Sequence, residues 1–463
     1  METMSIREIA DALNGKLINY KEDIMIKGIS TDSRKIKKDD LFIPIKGLNF
    51  DGHDFIQNAI DSGACAVLSQ YNIEPCNFTY ILVEDTQSAL IKLAQYYKKK
   101  FEIPSIAVTG SSGKTTTKEM IASVLSEKFD VLKNEGNLNN NIGLPISVFR
   151  LEKHHDICVF EMGMNKPGEI ETLASIVKPD IAVITNIGTA HIGYFGSREN
   201  ILKAKKEVFT FFTKNNIAVL NGDDDMLSTI TDTDFKIIRY GLKEYNHLRA
   251  KDIKQREDMG MEFTVNIDGR EENFFIPLLG VHNVYNALSA IAVGLTMNME
   301  IESIRRGLQN FVPAKMRMEI YDTKDNIKII NDSYNANPDS AIAAIEVLKS
   351  MPSSGRKVLI IGDMLELGDY TVEGHRKVGE KVAESNIEVL ITIGEKAKEV
   401  INGALSKGMN KEQIYSFKDN EDAISKISSI LATNDVVLIK GSRMMKLEEI
   451  VDYLIEGRYT KDE

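Results

Sequence analysis

Three cysteines in 463 residues, Cys65, Cys76 and Cys158, do not make a disulfide framework, and none stands in a CxxC or Cys/His metal spacing. They read as small apolar side chains in a reducing compartment. Positive charge is also in deficit, with 57 Lys and Arg against 68 Asp and Glu, and no cluster of bases marks a face for nucleic acid or an anionic membrane. No stretch approaches the roughly 18 apolar residues of a membrane span. The opening METMSIREIADALNGK lacks an apolar signal core, so the expectation is a cytoplasmic protein with small-molecule partners.

What is present is globular: 43% apolar and 27% charged residues suffice for a large core. At roughly 150 residues per domain, the length points to three domains. Short apolar runs ending in Gly, Asn or Asp alternate with segments of helical periodicity, the pattern of parallel strands and crossover helices, so an α/β architecture is predicted. The first unit, 1–102, offers strands in IPIKG, ACAVLS and YILVED and a helix in SALIKLAQYYKKKF, closed by Pro104. The second, 103–313, offers IAVTG, ICVFEMG, IAVITNIG and IAVLNGDD, then a polar β-like stretch and the helix NVYNALSAIAVGL. The third, 314–463, alternates IKIINDS, KVLIIGD, VLITIG and VVLIKGS with helical segments, as in a small doubly wound, Rossmann-like domain.

The strongest chemical signal is IAVTGSSGKTTT. After an apolar strand, Gly110, Ser111, Ser112 and Gly113 supply a turn whose N–H groups can face phosphate oxygens, and Lys114 opens a helix whose positive end adds to them. Lys114 would hold β- and γ-phosphates of ATP, and the Thr115 hydroxyl, followed by Thr116, would face Mg²⁺. The spacing is GxxGKT, with Val108 where the longer motif has its outer glycine. A plain Gly/Ser turn before a helix is the competing reading, and the flanking strand and threonines disfavour it.

Glu161 ends the apolar strand ICVFE, where an ionised carboxylate needs a cation. His191 follows another strand, in TNIGTAHIG, beyond the end where open α/β sheets place ligands. Lys203, Lys205 and Lys206 lie on one predicted helix, and spacing alone does not choose which reaches phosphate. The asparagines of NEGNLNNNIG, Asn139 and Asn140 among them, fit a turn or an amide-lined ligand loop.

Together TGSSGKTTT, NLNNNIGLP, EMG, TNIGTAHIG, AKKEVF and GVHNVYNALSA resemble the Mur ligase family of cytoplasmic amide-forming enzymes of bacterial cell-wall synthesis. The resemblance implies an N-terminal UDP-binding α/β domain, a central P-loop ATPase domain with a mainly parallel sheet, and a C-terminal domain that closes on ATP. It implies two Mg²⁺ ions, one on Thr115 and Glu161 and one served by His191 and Lys205, the lysine the family often carbamylates. His282 and Asn283 would lie near adenine, and Arg317 and Asp332 would reach ATP from the closing side. In STDSRKIKKDDLFIPIKGLNFDGHDFI the matched uridine-diphosphate positions are Ser33 and Arg34, with Lys46 and Gly47 nearby, and Asn139 and Asn140 complete the substrate side.

The segments DSYNANP and GDMLELG are similar to those of the family's last-acting member. That implies UDP-N-acetylmuramoyl-tripeptide as donor and D-alanyl-D-alanine as acceptor, with Tyr334, Asn335 and Asn337 near the dipeptide. Other readings are a family member adding a single amino acid, a folate-polyglutamylating relative, or a sensor of cell-wall precursors without turnover. A monomer suits large domain motion, and the third peptide position, lysine or diaminopimelate, is not written in the sequence.

Overall fold

The computed structural model describes residues 1–456 except 21, 48, 74 and 324, so the last seven residues of the third unit lie outside the described residues. The chain forms three α/β units, each on its own main sheet.

The N-terminal sheet runs Lys16–Ile18, Tyr80–Leu82, Ala66–Ser69, Asp40–Phe42, Gly28–Ser30, parallel except at its first strand. One expectation fails here: IPIKG is not a strand. The strand is the preceding Asp40–Phe42; Pro44 has no N–H for a ladder, and only an isolated Lys46–Asp51 bridge follows. The helix Thr86–Lys98 starts where the Asp85 carboxylate accepts from Ser88 N (2.7 Å), and its Leu90, Leu93 and Tyr97 are fully buried. Tyr97 joins this unit to the next, accepting from Glu2 N (2.6 Å) and donating to Leu151 O (2.7 Å). Tyr97→Phe leaves that N–H and carbonyl unpaired in the core. We expect a loss of about 1–2 kcal/mol, read as a lower urea midpoint.

The central sheet has nine strands in the order Arg270–Ile276, Gly260–Ile267, Leu248–Arg256, Lys236–Gly241, Ile217–Asn221, Ile181–Ile184, Ser105–Thr109, Ile157–Glu161, Val131–Lys133. Pairing is parallel from Leu248–Arg256 onward and antiparallel in the terminal hairpins, the polar β-like stretch of the sequence. Ser105–Thr109, Ile157–Glu161 and Ile181–Ile184 are buried on both faces, which explains their unbroken apolar runs. The helices Lys114–Leu125 and Val281–Thr296 cover one face together, and Gly307 lets the helix Ile301–Gln309 approach: a Cβ there would lie 2.5 Å from Val124 Cα.

The C-terminal sheet runs Glu319–Asp322, Lys328–Asp332, Val436–Lys440, Lys357–Gly362, Val389–Ile393, Ile414–Phe417, parallel but for the first pair. The carboxyl ends of its middle strands face those of the central sheet. Contacts span the cleft: Asn337 Nδ2 donates to Ser112 Oγ (3.2 Å), Asp339 accepts from Thr189 N and Oγ1 (2.6 and 2.8 Å), and Gly193 N donates to Glu366 O (3.1 Å).

Candidate active site

The strands Ile181–Ile184, Ser105–Thr109 and Ile157–Glu161 are neighbours, so the loops after them share one edge. Between Thr109 and the helix Lys114–Leu125, Gly110 and Gly113 have φ of 151° and 78°. Side chains are excluded at both: a Cβ on Gly110 would meet Thr185 Oγ1 at 1.9 Å, and on Gly113 Asn286 Oδ1 at 2.8 Å. The neighbouring loop braces the turn. Ser111 N donates to Asn186 O (3.0 Å), Ser112 N to Asn186 Oδ1 (2.9 Å), and Asn186 Nδ2 and Thr185 Oγ1 donate to Ser112 O (3.1 and 2.6 Å). The Ser111 and Ser112 N–H groups are thus spent on Asn186, contrary to the sequence expectation, and those of Gly113 and the helix start are left to face an anion. Asn186→Ala removes two of these bonds; we expect the KM for ATP to rise about tenfold with uridine-nucleotide affinity unchanged.

Lys114 folds back on the turn, Nζ donating to Gly110 O (3.0 Å), and burial lowers its pKa against the pull of Glu161. Thr115 Oγ1 donates to Glu161 Oε2 (2.8 Å) and Asn139 Nδ2 to Glu161 Oε1 (2.7 Å). Glu161 is 2% exposed, with no cation beside it among those contacts. Its strand end is fixed by buried Asn134, which accepts from Glu161 N (2.9 Å) and donates to Glu161 O and Leu138 O. Asn134 thus ties the metal-type carboxylate to the asparagine loop, a role no local motif announces.

His191 stands at φ 61° with Nδ1 2.7 Å from Glu366 Oε2 of the C-terminal unit, not aligned as a hydrogen bond. The imidazole and burial act oppositely on Glu366, whose carboxyl is held below the usual range. Lys205 is 2% exposed and makes no hydrogen bond or ion pair among the described residues; burial first, and Lys114 second, push its pKa well down. Of the three lysines on the helix Arg198–Lys206, Lys205 is the one buried. Among the described residues no three His, Cys, Asp or Glu side chains are grouped for a metal. The donor set Thr115, Glu161 and His191 fits Mg²⁺ that takes its remaining oxygens from phosphate and water, the habit of that ion.

Two cavities meet at Ser112, Gly113, Arg317 and Ser340. One, about 330 Å³, is lined by Thr116, His282, Asn283, Asn286, Asp332 and Lys440 among others. Here burial lowers the His282 pKa to about 4, so the imidazole is neutral near pH 7, and its Nε2 lies 3.2 Å from Asn283 Nδ2. Asn283 Oδ1 accepts from Asn286 Nδ2 (2.9 Å), whose Oδ1 accepts from Thr117 Oγ1 (3.1 Å), a relay behind the phosphate turn. Asp332 and Lys440 are register partners at adjacent strand ends, paired at 2.5 Å in the cavity wall. Burial lowers the Lys440 pKa and Asp332 opposes it.

The other cavity, about 340 Å³, contains Lys114, Thr115, Asn139, Asn140, Glu161 and His191 from the central unit and Tyr334, Asn335, Asn337 and Arg443 from the C-terminal unit. Arg317 stacks on the Tyr334 ring at 4.2 Å and borders both cavities. Asn337 caps the helix Pro338–Ser350 through its Oδ1, leaving its amide to reach Ser112. Ser33 and Arg34 lie elsewhere, in the turn after Gly28–Ser30, and Lys46 and Gly47 after the adjacent Asp40–Phe42. Arg34 pairs with Asp32 and keeps its side chain 86% exposed, while Lys46 Nζ approaches Tyr71 Oη (3.2 Å).

A phosphate turn on one sheet, faced by the strand ends of a second, is the architecture of a multidomain P-loop nucleotide-binding protein. Sequence models of the Mur ligase family match almost throughout: the "Mur ligase family, catalytic domain" over residues 25–98, the "Mur ligase middle domain" over 108–294, and the "Mur ligase, glutamate ligase domain" over 316–443. The UDP-N-acetylmuramoyl-tripeptide--D-alanyl-D-alanine ligase of Bacillus subtilis is 40% identical over 98% of both chains. A crystal structure of MurF from Acinetobacter baumannii superposes with a TM-score of 0.91, 31% identity and coverage of 98% of this chain and 99% of that one. MurF ligase from Thermotoga maritima in complex with ADP does so at 0.84, 28% identity, 94% of this chain and 98% of its own. The chain belongs to the Mur ligase family.

Proposed function

We propose that this protein joins D-alanyl-D-alanine to UDP-N-acetylmuramoyl-tripeptide with ATP, giving the UDP-linked pentapeptide, ADP and phosphate in peptidoglycan precursor synthesis. The observation carrying this reading is the single cleft in which the phosphate turn, Glu161 and the C-terminal Tyr334–Asn337 loop meet, in a chain 40% identical to a relative bearing that activity's name. The working division is 1–102 for the uridine nucleotide, 103–313 for ATP, and 314–463 for closure and the dipeptide.

Carboxylates do not form amides with amines unassisted, so the acid must be activated. In the proposed sequence the tripeptide's terminal carboxylate attacks the γ-phosphorus, ADP departs, and an acyl phosphate forms. The dipeptide amine adds to its carbonyl, loses a proton, and phosphate leaves. Magnesium, held by Thr115 and Glu161 at one position and by His191 and a carbamylated Lys205 at a second, would neutralise phosphate charge. The neutral amine that burial favours at Lys205 is the form that takes up carbon dioxide.

Lys114 and the N–H groups of Gly113 and the helix start bind the transferring phosphoryl group where charge develops. Arg317 reaches the same phosphates from the far wall, His282 and Asn283 bound the adenine side, and Asp332 faces the nucleotide while paired with Lys440. Ser33, Arg34, Lys46 and Gly47 grip the uridine diphosphate, and Asn139 and Asn140 the muramoyl side. The cleft contacts exclude water from an intermediate that water would destroy. Among the described residues no helix is long and apolar enough to cross a membrane.

The test is phosphate release from ATP with UDP-N-acetylmuramoyl-tripeptide and D-alanyl-D-alanine, single amino acids, or no acceptor. Release that depends on the dipeptide is expected. Release with single amino acids instead would assign another ligase of the family, and nucleotide binding without release under any condition would make the protein a sensor.

A further inference from the structure

The cavity between the two sheets holds four basic side chains: Lys114, His191, Arg317 and Arg443. Three have work. Lys114 lies on the phosphate turn, His191 beside Glu366, and Arg317 against Tyr334 at the junction with the nucleotide cavity. Arg443 does not touch the phosphate turn, yet its setting is built. It stands three residues after the end of the strand Val436–Lys440. Ser442 pins that corner, accepting from Leu365 N (2.9 Å) and donating its own N–H to Asp363 O (3.2 Å).

The Arg443 guanidinium is anchored from one end only. Its Nη1 donates to Glu448 Oε1 (2.5 Å) and lies 3.9 Å from Met316 Sδ, while Nε and Nη2 have no partner among the described residues. Arg443 lines the cavity with its side chain 51% exposed, and a guanidinium held at one nitrogen with its other donors unpaired can act as a fork for a carboxylate. The loop that carries it adjoins the one bearing Tyr334 and Asn335, because Lys328–Asp332 and Val436–Lys440 are paired strands.

Resting on the proposed function, we infer that Arg443 binds the free carboxylate of the acceptor dipeptide and so selects its C-terminal charge. The acceptor is a zwitterion whose amine must reach the acyl phosphate near Lys114. Its carboxylate then lies about 7 Å away along an extended dipeptide, on the C-terminal wall.

The experiment compares D-alanyl-D-alanine with its C-terminal amide in the full-length protein and in Arg443→Gln and Arg443→Lys. In the parent the free acid is expected to have kcat/KM about 10- to 100-fold above the amide, the worth of a charge-assisted hydrogen-bond pair. Arg443→Gln is expected to lose that preference through the KM for the dipeptide, leaving the KM for ATP and for the uridine substrate unchanged, and Arg443→Lys to restore part of it. No preference in the parent, a preference surviving in Arg443→Gln, or a KM rise confined to the uridine substrate would each overturn the inference. Absence of dipeptide-dependent turnover in the parent would instead refute the proposed function, a distinct result.

Discussion

Lys114→Ala is expected to lower turnover by about 10³-fold or more while leaving uridine-nucleotide binding intact. Lys114 is seated on the phosphate turn, Nζ 3.0 Å from Gly110 O, where burial lowers its pKa, so it is a lysine held out of water whose cationic form an anionic ligand would favour. Alanine removes that charge where the transferring phosphoryl group develops most of its own. The uridine-site candidates Ser33, Arg34, Lys46 and Gly47 sit on a different sheet and touch none of this. Isothermal titration with the uridine substrate, beside an ATP-turnover assay, checks both halves; equal loss of the two would contradict separate sites.

Glu161→Gln comes second. The carboxylate accepts from both Thr115 and Asn139 while 2% exposed, so an amide in its place keeps the shape and loses the charge that would face Mg²⁺. We expect turnover to fall about 10²-fold and the Mg²⁺ concentration for half-maximal rate to rise, with secondary structure unchanged by circular dichroism. An unaltered Mg²⁺ profile would remove Glu161 from the metal's surroundings.

The phosphate turn was legible because strand, glycines, lysine and threonines are contiguous, and each is dictated by local backbone chemistry. The parallel sheets were legible for a similar reason: strands buried on both faces read as unbroken apolar runs. IPIKG misled because it is equally apolar, and only the missing N–H of Pro44 distinguishes it from the strand Asp40–Phe42 just before it. What the sequence hid are partnerships across the fold. Lys440 reads as the end of one more buried strand until Asp332, 108 residues earlier, is placed beside it. Asn134 has no local sign, and Asn186 reads only as part of the ligand-facing loop that carries His191, yet they brace Glu161 and the phosphate turn. The place of His191 at the sheet edge was readable from its position after a strand, whereas its neighbour Glu366 belongs to another unit and has no local sign.

The cleft contacts give the domains a reason to be separate. Asp339 on Thr189, Asn337 on Ser112 and Glu366 on the His191–Gly193 turn all join loops that follow strand ends, so the two catalytic walls assemble only when the sheets face each other. The proposed function has substrates enter before that closure and the activated acid sheltered after it.

The central claim is that the phosphate turn activates a peptide carboxylate. Oxygen-18 placed in the terminal carboxylate of UDP-N-acetylmuramoyl-tripeptide tests it directly, by mass analysis of the inorganic phosphate released on turnover with D-alanyl-D-alanine. One labelled oxygen per phosphate is the expected result, since the carboxylate oxygen that attacks phosphorus leaves with it. Unlabelled phosphate, with pentapeptide still formed, would contradict the account.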